Sequence, residues 1–367
     1  MNCEFKLPAE ILFGCKERRK LAEKLPPGNV LIIAGSHSKQ RVENELIPDL
    51  GKREFRLIAN AHPEPRLSDV QFAISVGREI TAASVIGYGG GSAIDIAKTA
   101  AALMHLDGTV ADYFYGRKKI PGKGSFFAAL PTTAGTGAEI TPNAVLSDPE
   151  TGSKQSIRHE TMFADVALID PELTFDCPVN VSAGSGFDAL TQAIESFISQ
   201  KANPASDALA LSAAKNIFSE LSAAVHDSMN SARIAVAKGS MLGAMAFAQS
   251  GLGAVHGIGH PLGSLLHVPH GVCCAILLPT ILRWNLPDCR TKMTELANTL
   301  SCETPEELIV KIETLRENIC LPSNFRAFGL RVEHFAFIVE NCRSGSMKSN
   351  PRDLTDPEIT AILEELM

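Results

Sequence analysis

Four short runs of consecutive apolar residues mark the first half of the chain. Val30 to Ala34 ends on Gly35 and Ser36, and Ser84 to Gly87 ends on further glycines. Ser125 to Leu130 closes on Pro131, and Val166 to Ile169 closes on Asp170 and Pro171. Strands that are apolar on both faces, separated by helical stretches, belong to mostly parallel sheets covered on both sides. After about Pro178 the spacing becomes helical, as from Ala205 to Val225 and from Ala232 to Gln249, with few β-branched runs. The pattern predicts an N-terminal α/β domain with a mostly parallel, Rossmann-like sheet (residues 1–177) and an all-α C-terminal domain (residues 178–367), with prolines at 171 and 178 marking the boundary.

Composition narrows the partners. A formal net charge of -7 gives no basic footprint for nucleic acid or for an anionic membrane surface, which leaves a small molecule. No apolar stretch reaches the roughly 18–20 residues that cross a bilayer, and the first residues lack the charged-then-apolar build of a signal peptide, so a cytoplasmic location is expected. The nine cysteines are scattered with no C-x-x-C spacing. They read as reduced thiols, and Cys273 and Cys274 as a buried pair in an apolar run.

Two polar clusters follow predicted strands. In Gly87-Tyr88-Gly89-Gly90-Gly91-Ser92-Ala93-Ile94-Asp95 a strand passes through glycines into an Ala-rich helix, where free backbone N–H groups and the helix dipole favour an anion. It is not the G-x-G-x-x-G fingerprint. Pro131-Thr132-Thr133-Ala134-Gly135-Thr136 follows the next strand. Ligands of open α/β sheets bind beyond the carboxyl ends of the strands, so the two clusters together are candidates for a dinucleotide site, with Asn143 and Lys154 as polar residues downstream. The N-terminal domain is therefore expected to bind the nucleotide.

Four of the ten histidines fall between His256 and His270, at 256, 260, 267 and 270. Imidazole binds divalent metals and titrates near neutrality, so the cluster points to a metal site, a proton-transfer site, or both.

The glycine run with Ser92, Asp95 and Lys98, the Pro131-Thr132-Thr133-x-Gly135-Thr136 stretch, the helix start Gly186-Phe187-Asp188-Ala189-Leu190 and the His256 to Gly271 block resemble the iron-containing (group III) alcohol dehydrogenases. The resemblance runs from Phe5-Lys6-Leu7-Pro8 to Asn350-Pro351-Arg352. It implies NAD(P)-linked interconversion of a small alcohol and aldehyde, and a homodimer formed through the segment near Phe5 to Phe13. It also implies a divalent metal, Fe²⁺ or Zn²⁺, held by an Asp and three His. Asp188, His256 and His270 match that set, and the remaining position is Gln192. Spacing i, i+4 places 188 and 192 on one helical face, and an amide oxygen is a neutral, weaker donor than imidazole.

His260 matches the residue near the nicotinamide and is the candidate proton relay, while His267 has no matching role. Phe247 sits where the family lines its substrate pocket. Where the family carries an Asp that repels a 2′-phosphate, this chain has Gly35, followed by Ser36, Ser38 and Lys39, so NADP is expected to be accepted and preferred. Gln192 keeps open a metal-independent reductase resembling maleylacetate reductases and a binding protein without chemistry. A lyase resembling dehydroquinate synthase, which keeps NAD and zinc on a related fold, is a further alternative.

Overall fold

The computed structural model describes residues 5–61, 64–226 and 229–367. They fall into two compact units, one of Leu7–Thr133 with Gly137–Asp176, the other containing Cys177–Met367 with Ala134–Thr136.

The first unit is an α/β fold on a six-stranded sheet. In chain order its strands are β1 (Glu10–Phe13), β2 (Asn29–Ala34), β3 (Phe55–Ile58), β4 (Ala82–Gly89) and β5 (Phe126–Pro131), and a later β8 (Val166–Ile169). An antiparallel pair, β6 (Asn143–Asp148) and β7 (Ser153–Arg158), forms a separate two-stranded sheet. The large sheet is parallel throughout in the order β1-β8-β5-β4-β2-β3. Its central strands are buried on both faces, which is why they read as unbroken apolar runs. The short, half-buried β1 and β3 lie at the two edges, where their mixed sequences carry no such run.

The order of the strands fixes where a ligand fits. The chain runs from β2 outward to β3 and then returns to lay β4 on the other side of β2, so the connections leaving β2 and β4 diverge. That divergence opens a crevice at the carboxyl ends of these two strands. The helix Gly91–Leu103 starts there and is buried along its whole length from Ala93, its alanines allowing close packing against the sheet.

The second unit is all helical. Its centre is the helix Val179–Ile198, buried at every position from Gly186 onward and packed among Pro204–His226, Asn230–Ser250 and His270–Thr299. A helix buried all round is expected to be apolar. This one carries Asp188, Gln192 and Glu195 inward, each no more than 3% exposed. No helix among the described residues is long and apolar enough to cross a membrane.

Candidate active site

The three polar residues of the central helix stand at i, i+4 and i+7 and so share one face. Asp188 and Glu195 meet His256 on the helix Ala254–Leu266 from its two sides. Nε2 of His256 lies 3.3 Å from Asp188 Oδ1, and its Nδ1 lies 2.6 Å from Glu195 Oε2. The other Glu195 oxygen accepts from the Val255 backbone N–H at 2.7 Å. One carboxylate therefore fixes both the imidazole and the turn of backbone that carries it.

The start of that helix is further held by Asn350, whose Oδ1 accepts from the Ala254 N–H at 3.1 Å and which exchanges side-chain hydrogen bonds with buried Asn285. Gly253 is required here. A Cβ on it would lie 2.7 Å from Glu195 Oε1 and 3.0 Å from Asn350 Oδ1.

His270 opens the helix His270–Thr299, and Cys274 follows one turn later on the same face. His270 Nε2 is 3.8 Å from Asp188 Oδ1; Cys274 Sγ is 3.6 Å from that oxygen and 3.7 Å from His270 Nε2. Asp188, His256, His270 and Cys274 each offer a donor atom, all within 4.8 Å of one another. The half-buried ring of His260, one turn after His256, stacks on His270 with centroids 5.1 Å apart and 22° between planes, and lies 6.0 Å from His256. His267 is exposed in a left-handed conformation at the end of its helix.

Charge reinforces the geometry. Burial pulls the Asp188 carboxyl upward, but the charge of His270 and the hydrogen bond and charge of His256 outweigh it and hold the group below its usual range. Burial disfavours a charged His256, yet the Glu195 charge and the hydrogen bonds to Asp188 and Glu195 push it up to about 10. The Cys274 thiol is raised by burial and by the neighbouring carboxylates. A cation that displaces the imidazole protons would meet the buried Asp188 and Glu195 carboxylates as compensating charge.

In the α/β unit, Gly35, Gly89, Gly90, Thr132 and Thr133 come together at the carboxyl ends of β2, β4 and β5. The Thr132 N–H donates to the Gly89 carbonyl at 2.9 Å, and the Gly35 N–H to the Tyr88 carbonyl at 3.3 Å. A Cβ on Gly89 would lie 3.0 Å from the Gly35 nitrogen and 2.8 Å from the Ala93 Cβ, so only glycine lets the two loops approach this closely. Gly90 caps the helix on which Gly91 and Ser92 are the first residues. Ser36 is exposed beside Gly35, and exposed Thr136 groups with the helical unit.

Three further candidate nucleotide contacts have protein partners. Asp95 stands beyond the first helical turn and is turned inward: its Oδ2 accepts from the Val145 N–H at 3.0 Å, and burial raises its carboxyl to about 6 against the opposing charge of Lys98. Asn143 opens β6, where its backbone carbonyl accepts from Lys98 at 2.7 Å and its Oδ1 accepts weakly from Arg158 at 3.4 Å. Lys154 on β7 pairs with Glu64 at 2.9 Å.

Comparison with known proteins decides the family. The model of the iron-containing alcohol dehydrogenases matches residues 8–171, and that of the C-terminal region of the Fe-containing alcohol dehydrogenase family matches residues 182–367. The chain belongs to the iron-containing alcohol dehydrogenase family. It is 35% identical over 315 residues to long-chain-alcohol dehydrogenase 1 of Geobacillus thermodenitrificans, covering 82% of this chain and 79% of that protein. It is 33% identical over 357 residues to alcohol dehydrogenase 4 of Saccharomyces cerevisiae, covering 95% and 91%. The fold superposes on sulfoacetaldehyde reductase from Bifidobacterium kashiwanohense, solved in complex with NAD⁺, with a TM-score of 0.93 and 28% identity over 100% of this chain and 99% of that one.

The residues present fit the divalent metal that this family implies. Gln192 Oε1 is buried and has no hydrogen-bond partner among the described residues, which leaves an acceptor costly to bury one turn from Asp188. The Asp188 carboxylate, set between His256 and His270, gives a cation an anionic donor beside two imidazoles. Two members of the site went unread in the sequence. Glu195 stands seven residues after Asp188 and Cys274 four after His270, spacings present in the sequence whose meaning depends on which helices pack together.

Proposed function

We propose that this chain is a metal-assisted, NAD(P)-linked oxidoreductase that interconverts a small alcohol and its aldehyde. The observation that carries the reading is the group of buried Asp188 and His256 with partly exposed His270, beside the unsatisfied Gln192 carbonyl, in a chain of this family. Bound there, a divalent cation supplies a Lewis acid for the substrate oxygen, and the nicotinamide supplies or accepts hydride.

The protein residues do the rest. Asp188 contributes the anionic donor and His256 and His270 the imidazoles, and Gln192 leaves a neutral oxygen one turn from Asp188. With Nδ1–H donated to Glu195, His256 presents the Nε2 lone pair to the ion and keeps that tautomer. His260, stacked on His270 and partly exposed, is the group able to exchange a proton with solvent as the alkoxide is neutralised. Gly89, Gly90, Gly91 and Ser92 offer backbone N–H groups at a helix N-terminus to the diphosphate, with Thr132 and Thr133 as hydroxyl partners. Phe247, partly exposed on the helix Asn230–Ser250, is assigned to the substrate pocket.

We assign NADPH as the preferred nucleotide. Gly35 brings no carboxylate, Ser36 is exposed, and Lys39 is exposed 3.8 Å from Glu43, while Ser38 is buried, so a 2′-phosphate would meet one hydroxyl and a cation in place of the carboxylate. Lining up titrations of both nucleotides tests this: tenfold tighter NADH than NADPH defeats the preference. The activity itself is tested by NADPH oxidation with short-chain aldehydes after anaerobic loading with Fe²⁺ or Zn²⁺. Full turnover of the metal-stripped protein would put the metal-independent reductase in its place. A homodimer through Phe5 to Phe13 accords with β1 being an edge strand, and a monomeric mass in solution would oppose it.

A further inference from the structure

We propose that Cys274, and not Gln192, is the fourth inner ligand of the metal, so that the ion is held by one carboxylate, two imidazoles and one thiolate. The proposal rests on the metal-assisted reading above and deepens it.

The distances carry it. For a tetrahedral Zn²⁺, ligand atoms at the usual bond lengths stand about 3.3 Å apart between nitrogen and oxygen and about 3.5 Å apart between sulfur and either. The structure gives 3.3 Å for His256 Nε2 to Asp188 Oδ1, 3.6 Å for Cys274 Sγ to Asp188 Oδ1, 3.7 Å for Cys274 Sγ to His270 Nε2 and 3.8 Å for His270 Nε2 to Asp188 Oδ1. These four separations lie near the edge lengths of one tetrahedron, and the remaining two pairs lie within 4.8 Å.

Coordination number excludes having both candidates. A catalytic Zn²⁺ takes four ligands and expands to five, so an inner shell containing Asp188, His256, His270, Cys274 and Gln192 leaves no place for substrate. Between the two, a thiolate is an anion and a soft donor, whereas an amide oxygen is neutral and hard. Cys274 is fully buried on the same face of its helix as His270, so its sulfur is held in place by packing. Gln192 is left as a buried acceptor one turn from Asp188, outside the inner shell, able to receive a hydrogen bond from a hydroxyl in the site. The donor set favours Zn²⁺ or Co²⁺ over Mn²⁺ and Mg²⁺.

X-ray absorption at the zinc edge of the wild-type protein, reconstituted with one equivalent of Zn²⁺, reads the ligand directly and needs no variant. One sulfur at about 2.3 Å is expected. Cobalt substitution adds a second reading: the wild type shows a thiolate-to-cobalt charge-transfer band in the near ultraviolet, Gln192→Ala keeps it, and Cys274→Ser loses it while weakening Zn²⁺ at least about tenfold, as loss of a ligand should. A stoichiometric ion with only nitrogen and oxygen neighbours, or a band abolished by Gln192→Ala and kept by Cys274→Ser, overturns the assignment and leaves the metal-assisted reading standing. Failure of the wild type to retain either ion overturns both.

Discussion

Glu195 grips His256 through the ring nitrogen remote from Asp188, at 2.6 Å, and takes the preceding N–H of Val255 at 2.7 Å with its other oxygen. The imidazole is thereby oriented by a residue that no ion touches. Glu195→Gln keeps the size and one acceptor but removes the charge, and an amide facing Nδ1 can reverse the ring's tautomer. Zn²⁺ affinity is expected to fall about ten- to hundredfold with the far-ultraviolet dichroism unchanged. Wild-type affinity in that variant, measured against a competing chelator, would show that the contact only packs the helix.

Metal binding should release protons, and the sign follows from His256. In the metal-free protein burial opposes its charge, but Glu195 and Asp188 prevail and raise it from 6.5 to about 10. Its contribution to stability is fully present below about pH 6.5 and is lost as pH rises through about 10. A metal ion must displace that proton, so apparent Zn²⁺ affinity is expected to rise about tenfold per pH unit across this window from His256 alone. Calorimetry at pH 7.5 in buffers of different ionisation enthalpy should find at least one proton released per ion. A heat independent of the buffer contradicts this.

Gly89 is the position that tests the proposed nucleotide crevice. A methyl group there meets the Gly35 nitrogen at 3.0 Å and the Ala93 Cβ at 2.8 Å, so Gly89→Val must separate the β2 and β4 loops. NADPH binding, followed by quenching or transfer of nicotinamide fluorescence, is expected to weaken at least about tenfold, since pyrophosphate recognition depends on close backbone approach. Metal content should be unchanged because the donor set belongs to the other unit. Unaltered NADPH binding would mean that the crevice lies elsewhere.

Gly35 offers the converse change. Its φ of -69° suits any residue, and only Ser38 Oγ, at 3.9 Å, comes near a Cβ placed there. Gly35→Asp is therefore expected to fold normally and to shift preference from NADPH toward NADH by tenfold or more, through repulsion of the 2′-phosphate. Equal loss of both nucleotides would show a steric effect instead.

Stability in the α/β unit should depend on pH through Glu139. Burial pushes its carboxyl from 4.5 up to about 7, with its own backbone hydrogen bond and the Lys98 charge only partly offsetting it. A raised carboxyl favours the fold below about pH 4.5 and loses that contribution as pH climbs through about 7. Glu139→Gln removes the titration, so the variant's Tm should gain on the wild type between pH 5 and pH 8. Parallel curves for the two proteins would rule the assignment out.

The chain order alone determined the sheet and the helices because the forces behind them are local. Strands such as Val30 to Ala34 announce themselves by being apolar at every position, and a helix places residues four apart on one face wherever it sits, so Asp188 with Gln192 and His256 with His260 were legible before any fold was known. Edge strands β1 and β3, half-exposed and mixed in character, left no such mark. Tertiary structure decided the partners. Glu195 finds His256 across 61 residues and Cys274 finds Asp188 across 86, contacts set by how buried helices pack and by no periodicity within either segment. The same packing gave Asp95 its partner: one turn past the helix start, it faces β6 and accepts from the Val145 N–H, because a buried carboxylate goes where a donor is.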